Sequence, residues 1–282
     1  DYEKYHKSDS RTKLLGFEIA RWDALEHFIP KNIQQKKTGQ ILDYGSGTGL
    51  HIGLWENLLP NFDLYLCDVS RSGKEKCLLK FPSYENKYQL VTNNEAQFDD
   101  QNFDIVFSVE VMEHVEYLEA YIKDIYRLLK PGGVFIWTTP CANKYSIEYI
   151  YSSLTKQIDS TSEGYVRWRW EDPTHLRRLK SNEIKKALMN VGFESPDFRF
   201  RSHFFSFICT YFPPKRRFKS LRTWLMKLDY NNKYNKNTSV NISKRYNKYK
   251  LLKKPESYNE HNLIQIPERY NKYKLLKIPE SY

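Results

Sequence analysis

The order of apolar and polar segments along the chain predicts a parallel β-sheet with helices packed against it. Apolar runs of strand length, suited to strands buried on both faces, occur at residues 40–44, 62–67, 90–91, 103–109 and 134–139. Between them apolar residues recur at helical spacing, as in residues 14–29, which Pro30 ends, and in residues 115–129, which the Pro-Gly-Gly at 131–133 ends. Alternating strands and helices are typical of a doubly wound α/β fold.

The pattern becomes less regular after residue 139. Residues 145–170 are rich in tyrosine and tryptophan and interrupt the alternation. Residues 181–191 return to helical spacing, and we expect Ser181 or Asn182 to cap this helix and Gly192 to end it. Residues 198–212 then remain to supply the last strands of a mostly parallel, seven-stranded sheet.

Net charge divides the chain into two parts. Residues 1–213 hold 27 Lys and Arg against 29 Asp and Glu, whereas residues 214–282 hold 18 against 5, so the formal charge of +11 comes from the tail. Any attraction to nucleic acid or to an anionic membrane must therefore rest on the tail. We expect a globular domain at 1–213 and a basic appendage at 214–282.

The tail contains two further patterns. Residues 215–228 place Phe, Leu and Trp on one side of a helix and Lys and Arg mostly opposite. This is typical of a helix that lies at a membrane surface, although such a helix can also pack its apolar side on the domain. Residues 245–258 recur almost unchanged at 269–282, a duplication with too few copies for a solenoid.

Cysteine usage and hydropathy predict a cytoplasmic protein. Cys67, Cys77, Cys141 and Cys209 lie far apart without a C-x-x-C pair, so neither a zinc site nor a disulfide framework is indicated. The longest apolar stretch, at 203–212, has about half the length of a membrane-spanning helix. No signal peptide is visible, and a chain that begins at Asp1 instead of Met is expected to lack part of its N-terminus. The tail is the segment that we expect to contact the inner face of a membrane, if any does.

A glycine-rich turn follows the first predicted strand. Asp43 comes at the end of the strand, and Gly45, Gly47 and Gly49 follow at alternate positions. Glycine permits a positive φ and leaves no Cβ between the backbone and a ligand, while a new helix offers free N–H groups. The dinucleotide fingerprint needs a small residue where this chain has Leu50. Asp-x-Gly-x-Gly-x-Gly instead resembles the first motif of the class I S-adenosylmethionine (SAM) methyltransferases. The resemblance implies that the glycines approach the methionine part of SAM and that Asp43 helps to hold its ammonium group.

The rest of the predicted SAM site lies downstream. Asp68 ends the second strand, where a carboxylate can accept both hydroxyls of a ribose, and Val69 beside it is included in the cofactor site. Asn93 and Asn94 fall where the family often has an acid that receives the adenine amino group. An asparagine oxygen could do the same, but two asparagines that merely form a turn are the alternative.

A cluster of acids and a histidine follows the strand at 103–109. Ligands bind at the carboxyl ends of strands in open α/β sheets, and Glu110, Glu113 and His114 occupy this place. The pattern Glu-x-x-Glu-His resembles the O-methyltransferases of ubiquinone biosynthesis, which implies Mg²⁺ or another divalent cation held by these three side chains beside the acceptor. Glu110 is also expected to contact SAM. The alternative is that Glu113 and His114 only begin a helix and line the pocket.

A second histidine precedes the helix at 181–191. His175 follows Pro173 and Thr174, and related small-molecule methyltransferases commonly have a histidine there. An imidazole can take the proton of a hydroxyl group as the methyl group is transferred. His175 and His114 are therefore the catalytic candidates, with a purely structural His175 as the alternative.

Together the motifs predict a SAM-dependent methyltransferase that O-methylates a small-molecule or lipid-linked acceptor, with residues 145–170 as the acceptor lid. No Asn-Pro-Pro-Tyr follows residues 103–109, which disfavours methylation of a base amino group. Two alternatives remain open. One is an RNA-directed methyltransferase that uses the basic tail, and the other is a SAM-binding scaffold without activity.

Overall fold

The computed structural model describes residues 25–26, 28–144, 146–198 and 200. The predicted helix at 14–29 therefore lies mostly outside the described residues. The same holds for nearly all of the segment 198–212, which is predicted to supply the last strands, and for the whole basic tail.

The central feature of the fold is a mostly parallel sheet, which has six strands within the described ranges. These are β1 (Gly39–Tyr44), β2 (Phe62–Asp68), β3 (Tyr88–Thr92), β4 (Glu95–Ala96), β5 (Phe103–Val109) and β6 (Leu129–Thr138). Their spatial order is β4-β3-β2-β1-β5-β6, and only the β3–β4 pair is antiparallel. The strand order reverses between β1 and β5, and ligands of such folds bind at the carboxyl ends of the strands at this point.

Helices cover the two faces of the sheet. They are α1 (Lys31–Gln34), α2 (Ile52–Leu58), α3 (Arg71–Lys80), α4 (Leu118–Leu128), α5 (Ile147–Leu154) and α6 (Ser181–Val191), with a 3₁₀ turn at Pro82–Lys87. A separate two-stranded antiparallel hairpin, β7 (Ile158–Ser160) and β8 (Val166–Trp168), follows α5. No helix in the part of the chain that the structure describes combines the length and the apolar character needed to cross a membrane.

The central strands read as continuous apolar runs because each of their faces is covered. In β1, Ile41 belongs to the core layer that contains α2, whereas Leu42 belongs to the opposite layer that contains α4. All seven residues of β5 are buried. Phe107 stacks face to face on Trp55, with ring centroids 3.8 Å apart. The predicted doubly wound architecture is confirmed.

Two element boundaries differ from the prediction. The Pro-Gly-Gly at 131–133 does not separate a helix from a strand, because β6 already begins at Leu129 and passes through it with a shift of register against β5. The N-cap of α6 is Lys180, not Ser181 or Asn182, since the backbone N–H of Lys180 donates to Glu183 Oε2 at 2.8 Å. Ser181 instead donates through both its backbone N–H and its hydroxyl to Asn143. Gly192 ends α6 at φ +122°, as expected.

Candidate functional site

The turn after β1 requires its three glycines. Gly45, Gly47 and Gly49 adopt φ values of +83°, +53° and +76°, a region that other residues rarely enter. A Cβ on Gly45 would lie 2.3 Å from Val111 Cγ2, so the loop after β5 could not pack so closely against a larger residue. The turn and the loop after β5 are therefore neighbours at the point where the strand order reverses.

Asp68 is oriented by the same turn. Its Oδ2 accepts from the backbone N–H of Gly47 and its Oδ1 from that of Ser70, both at 2.8 Å. Tyr88, which the sequence did not single out, donates its hydroxyl to the carbonyl oxygen of Gly47 at 2.8 Å. Each carboxylate oxygen can accept more than one hydrogen bond. This orientation is therefore compatible with the predicted contacts to ribose hydroxyls.

Asp43 lies beneath the turn and is almost fully buried. Its Oδ2 accepts from the indole N–H of Trp55 at 3.0 Å. Burial raises the pKa of Asp43 to about 7; the hydrogen bond from Trp55 opposes this shift and the nearby Asp68 adds to it. A cationic ligand group beside Asp43 would favour its ionised form, which fits the ammonium group of SAM.

Val69 and the two asparagines predicted at the adenine are exposed, in contrast to the buried Asp68. Val69 is 59% exposed. Asn93 and Asn94 form the two-residue turn between β3 and β4, at φ +53° and +64°. Asparagine is favoured in such turns because it tolerates a positive φ. The turn explains both asparagines without a ligand, and their contact with adenine stays a prediction.

The two acids after β5 are anchored to the end of β6. Glu110 has φ +57°, and its Oε1 accepts from the hydroxyl of Thr138 at 2.8 Å. Glu113 is fully buried, and its Oε2 accepts from the hydroxyl of Thr139 at 2.9 Å. Although they are three residues apart in the sequence, the two carboxylates are held by adjacent threonines.

His114 and His175 lie edge to face, with ring centroids 4.7 Å apart. His114 Nδ1 is 3.1 Å from the carbonyl oxygen of Thr174, and because a carbonyl only accepts, this nitrogen carries the proton. Burial, followed by the nearby His175, lowers the pKa of His114 to about 4. His114 is therefore neutral near pH 7, with its lone pair at Nε2.

His175 is held in the same tautomer by a carboxylate. Its Nδ1 lies 2.8 Å from Glu171 Oε2. Burial alone would raise the pKa of Glu171, but its hydrogen bond with His175 and the charge of Arg178 outweigh burial and lower it. Glu171 is thus ionised, so Nδ1 of His175 donates to it, and Nε2 is the nitrogen through which the ring can take up a proton.

The structure brings together a set of possible metal ligands that differs from the predicted one. One ligand atom of each of Glu113, His114 and His175 lies within 4.8 Å of the others. Glu110 is not part of this group, and its carboxylate bonds to Thr138. One carboxylate and two imidazoles do not fit the predicted Mg²⁺, which prefers oxygen ligands. The divalent cation stays a prediction.

The segment before α6 connects this cluster to the aromatic insertion. The backbone N–H of Leu176 donates to the carbonyl oxygen of Glu113 at 2.9 Å. The predicted lid at 145–170 forms α5 and the β7–β8 hairpin, and the buried Arg178 bonds to Glu148 in α5 and to Glu171. Sequence reasoning missed Glu171 and Arg178. The only signal for Glu171 was its place four residues before His175.

Comparisons with known proteins agree with this geometry. A family model described as a methyltransferase domain matches residues 17–195. The sterol 24-C-methyltransferase of Candida albicans is 27% identical over 180 residues, which cover 60% of this chain and 43% of the relative. The C-methyltransferase UbiE of Desulfotalea psychrophila, named for ubiquinone and menaquinone biosynthesis, is 27% identical over 132 residues, or 46% of this chain and 52% of the relative.

The ubiquinone biosynthesis O-methyltransferase of Rickettsia typhi is 27% identical over 156 residues, or 55% of this chain and 60% of the relative. The chain thus spans about half the length of the curated relatives that it matches.

One solved structure supports the fold. The PH0226 protein of Pyrococcus horikoshii superposes with a TM-score of 0.51 at 19% sequence identity, over 67% of this chain and 90% of that protein. The family model covers well over half of the chain, including β1 to β6 and the glycine turn. The chain therefore belongs to the methyltransferase domain family.

Proposed function

We propose that this enzyme transfers the methyl group of SAM to a hydroxyl oxygen of a small-molecule or lipid-linked acceptor. The observation that carries the proposal is the convergence of three hydrogen-bond acceptors beside the glycine turn. They are the Glu113 carboxylate and the imidazoles of His114 and His175, whose Nδ1 atoms both face protein acceptors. A site that presents acceptors fits a ligand that presents O–H donors.

His175 is the residue that we assign to take the hydroxyl proton. SAM supplies a methyl group on a positively charged sulfur, so the reaction needs mainly an oriented nucleophile. As the acceptor oxygen bonds to the methyl carbon, the carbon–sulfur bond breaks and its electron pair stays on sulfur. The O–H proton passes to Nε2 of His175, and the products are a methyl ether and S-adenosylhomocysteine. Glu171, against Nδ1, stabilises the imidazolium ion that forms.

His114 has a different role in this proposal. Its pKa of about 4 makes it a poor proton acceptor near pH 7. Neutral His114 can accept a hydrogen bond from a hydroxyl group of the acceptor and hold it against the methyl group. The fully buried Glu113 bonds to Thr139 and so fixes the loop that carries His114. We therefore assign His114 to binding the acceptor and Glu113 to supporting His114.

The insertion above the site supports an apolar acceptor body. Tyr149 and Trp168 pack edge to face, as do Tyr151 and Trp170, and Ile150 on the same helix is 44% exposed. Aromatic and aliphatic surface of this kind suits a ring or an isoprenoid-like chain. The printed names of the relatives mention sterols, ubiquinone and menaquinone, which also have apolar bodies.

The test follows labelled methyl groups from SAM into a panel of acceptors. Phenols, catechols and lipid extracts are incubated with the wild-type protein and with His175→Ala, and binding of SAM is measured separately by calorimetry. We expect methyl ethers from the wild type and a loss of about 100-fold or more in the variant, with SAM affinity preserved.

Three other outcomes would overturn the proposal. Methyl groups found only on carbon would favour the C-methyltransferase relatives. Methyl groups found in RNA, with binding that falls steeply with salt, would favour the RNA-directed alternative. Tight SAM binding without transfer to any fraction would favour the scaffold.

A further inference from the structure

Arg178 is a buried cation at the junction between the aromatic insertion and the histidine cluster. Only 4% of its side chain is exposed. Its Nε donates to Glu171 Oε2 at 2.5 Å, and its Nη1 donates to a carboxylate oxygen of Glu148 in α5. The guanidinium lies 5.1 Å from the ring centre of Trp168 and 5.6 Å from that of Trp170. One planar group therefore contacts the helix and the hairpin of the insertion and the residue that binds His175.

Glu171 is fixed at three points. Its Oε1 accepts from the backbone N–H of Trp168 at 2.6 Å, while its Oε2 is shared between Nε of Arg178 and Nδ1 of His175. Glu171 is itself buried. A carboxylate held from three directions can take one orientation only, and that orientation determines which nitrogen of His175 carries the proton.

The charges in this group also suit proton uptake at His175. Glu171 and Glu148 together bring two negative charges, and Arg178 compensates one of them. Nδ1 of His175 thus faces a group with one net negative charge, and Asp172 also interacts electrostatically with His175. Negative charge beside the imidazole favours the imidazolium ion that proton transfer creates.

We propose that Glu171 and Arg178 are positioning residues: Glu171 fixes the tautomer and orientation of His175, and Arg178 holds Glu171 and ties it to α5 through Glu148. The position of the insertion and the tautomer and orientation of His175 are therefore coupled through one guanidinium group. This inference rests on the proposed function only for its effect on catalysis, because the tautomer of His175 can be measured without an acceptor.

Replacing Glu171 by methionine, which has a similar length but no carboxylate, removes the hydrogen-bond acceptor at Nδ1 of His175. Without that carboxylate nothing in this contact holds the proton on Nδ1, and a neutral imidazole is then expected to carry it mainly on Nε2. In that tautomer Nε2 of His175 cannot take a proton from the methyl acceptor.

A neighbouring ion pair supplies a matched control. Arg177 is also buried and pairs with Glu163 at 3.0 Å, and it lies 5.3 Å from the ring centre of Tyr165. Its guanidinium donates to the carbonyl oxygens of Val115 and Glu116 and not to a group that binds His175. Glu163→Gln therefore removes an arginine–glutamate pair from the same insertion without touching the proposed chain of contacts.

The decisive measurement is nitrogen NMR of the full chain labelled at its histidines, with the His175 signals assigned from His175→Gln. We expect wild-type His175 to be protonated at Nδ1 and His175 in the Glu171→Met variant to be protonated mainly at Nε2. His114, whose Nδ1 faces the carbonyl oxygen of Thr174, should keep its tautomer in both. Glu163→Gln should leave both histidines as in the wild type.

Two further variants test Arg178 itself. Arg178→Lys keeps the charge but loses the planar fork that binds both carboxylates, and Glu148→Gln removes only the contact with α5, from a side chain that is 27% exposed. With a hydroxyl compound that the wild type methylates as substrate, we expect kcat to fall about 10-fold or more in both variants, with the SAM dissociation constant and KM unchanged within a few-fold. Glu163→Gln should leave kcat at the wild-type value.

Several results would overturn the positioning roles: wild-type His175 protonated at Nε2 instead of Nδ1, a folded Glu171→Met protein in which Nδ1 stays protonated, or equal kcat losses in Glu148→Gln and Glu163→Gln. If the tautomer changes as expected but no hydroxyl acceptor is methylated, the positioning of His175 stands and the proposed function fails. The two proposals are therefore separable.

Discussion

Replacing Asp43 by asparagine is expected to stabilise the ligand-free protein near neutral pH and at the same time to weaken its binding of SAM. Asp43 is almost fully buried, and its side chain accepts a hydrogen bond from the neutral indole of Trp55. Asparagine has nearly the same shape, and its oxygen can still accept from that indole. The substitution therefore removes the charge and little else.

The size of the effect follows from the pKa of Asp43, which burial raises from 3.8 to about 7. The folded protein then holds this proton up to about pH 7, whereas the unfolded chain releases it near pH 3.8. Because the folded state binds more protons in this window, its stability falls as the pH rises and levels off above about pH 7. About three pKa units correspond to roughly 4 kcal/mol of unfolding free energy.

The assay is urea unfolding of the wild type and Asp43→Asn at two pH values. Comparing the two proteins cancels the contributions of other titrating groups. We expect the advantage of the variant to grow by about 3 kcal/mol between roughly pH 5 and pH 8. Calorimetry should show that the variant binds SAM about 10- to 100-fold more weakly, because the ammonium group loses a charged partner. A variant with the same advantage at both pH values, or with unchanged SAM affinity, would refute the reasoning.

Three further predictions concern other parts of the site. Gly45→Ala should abolish SAM binding, because its Cβ would lie 2.3 Å from Val111 Cγ2 at φ +83°; calorimetry checks this. Gly132→Ala, at φ +75° but with no atom within 4 Å of its Cβ, is the control for backbone strain and should bind SAM normally. The pKa of His114 falls from 6.5 to about 4 on folding, so the wild type loses roughly 3 kcal/mol of unfolding free energy as the pH falls through this range. His114→Asn cannot titrate there, and urea unfolding below about pH 6 should show a smaller loss for the variant. EDTA should leave the rate of methyl transfer unchanged. The predicted cation would be supported instead if EDTA lowered the rate of the wild type, if Mg²⁺ or Mn²⁺ restored it, and if the rate of Glu113→Gln did not respond to EDTA.

The parts of the fold that the sequence predicts well are those in which one local requirement dominates. The strands β1, β2 and β5 are buried on both faces, so their apolar runs are unbroken. The hairpin β3–β4 was not predicted because its second strand has only two residues. Helical spacing that ends before Pro131 predicts that Leu129 belongs to a helix. Its place in β6 depends on a pairing with Phe103, which is distant in the sequence.

The candidate site also contains residues that the local sequence reveals and residues whose roles depend on distant contacts. Gly45, Gly47 and Gly49 can be recognised from the sequence because the turn admits no other residue. Arg178 could not be recognised, since it pairs with Glu148, thirty residues earlier, across the insertion. An arginine in a basic-looking run such as Arg177-Arg178 is expected at the surface, and only the structure shows both to be buried.

Two buried aspartates in this protein show how a ligand-binding acid differs from a structural one. Asp104 accepts from Lys130 at 2.8 Å and also pairs with Lys36; burial opposes ionisation there, but the lysines outweigh it and lower the pKa of Asp104 to about 2. Within the described ranges no salt bridge is found for Asp43, and burial raises its pKa to about 7. Asp104 thus stabilises the fold, whereas Asp43 lowers stability at neutral pH. A buried acid that destabilises the free protein persists most readily where a cationic ligand compensates it. If Asp43→Asn gained stability without losing SAM affinity, this distinction would not hold.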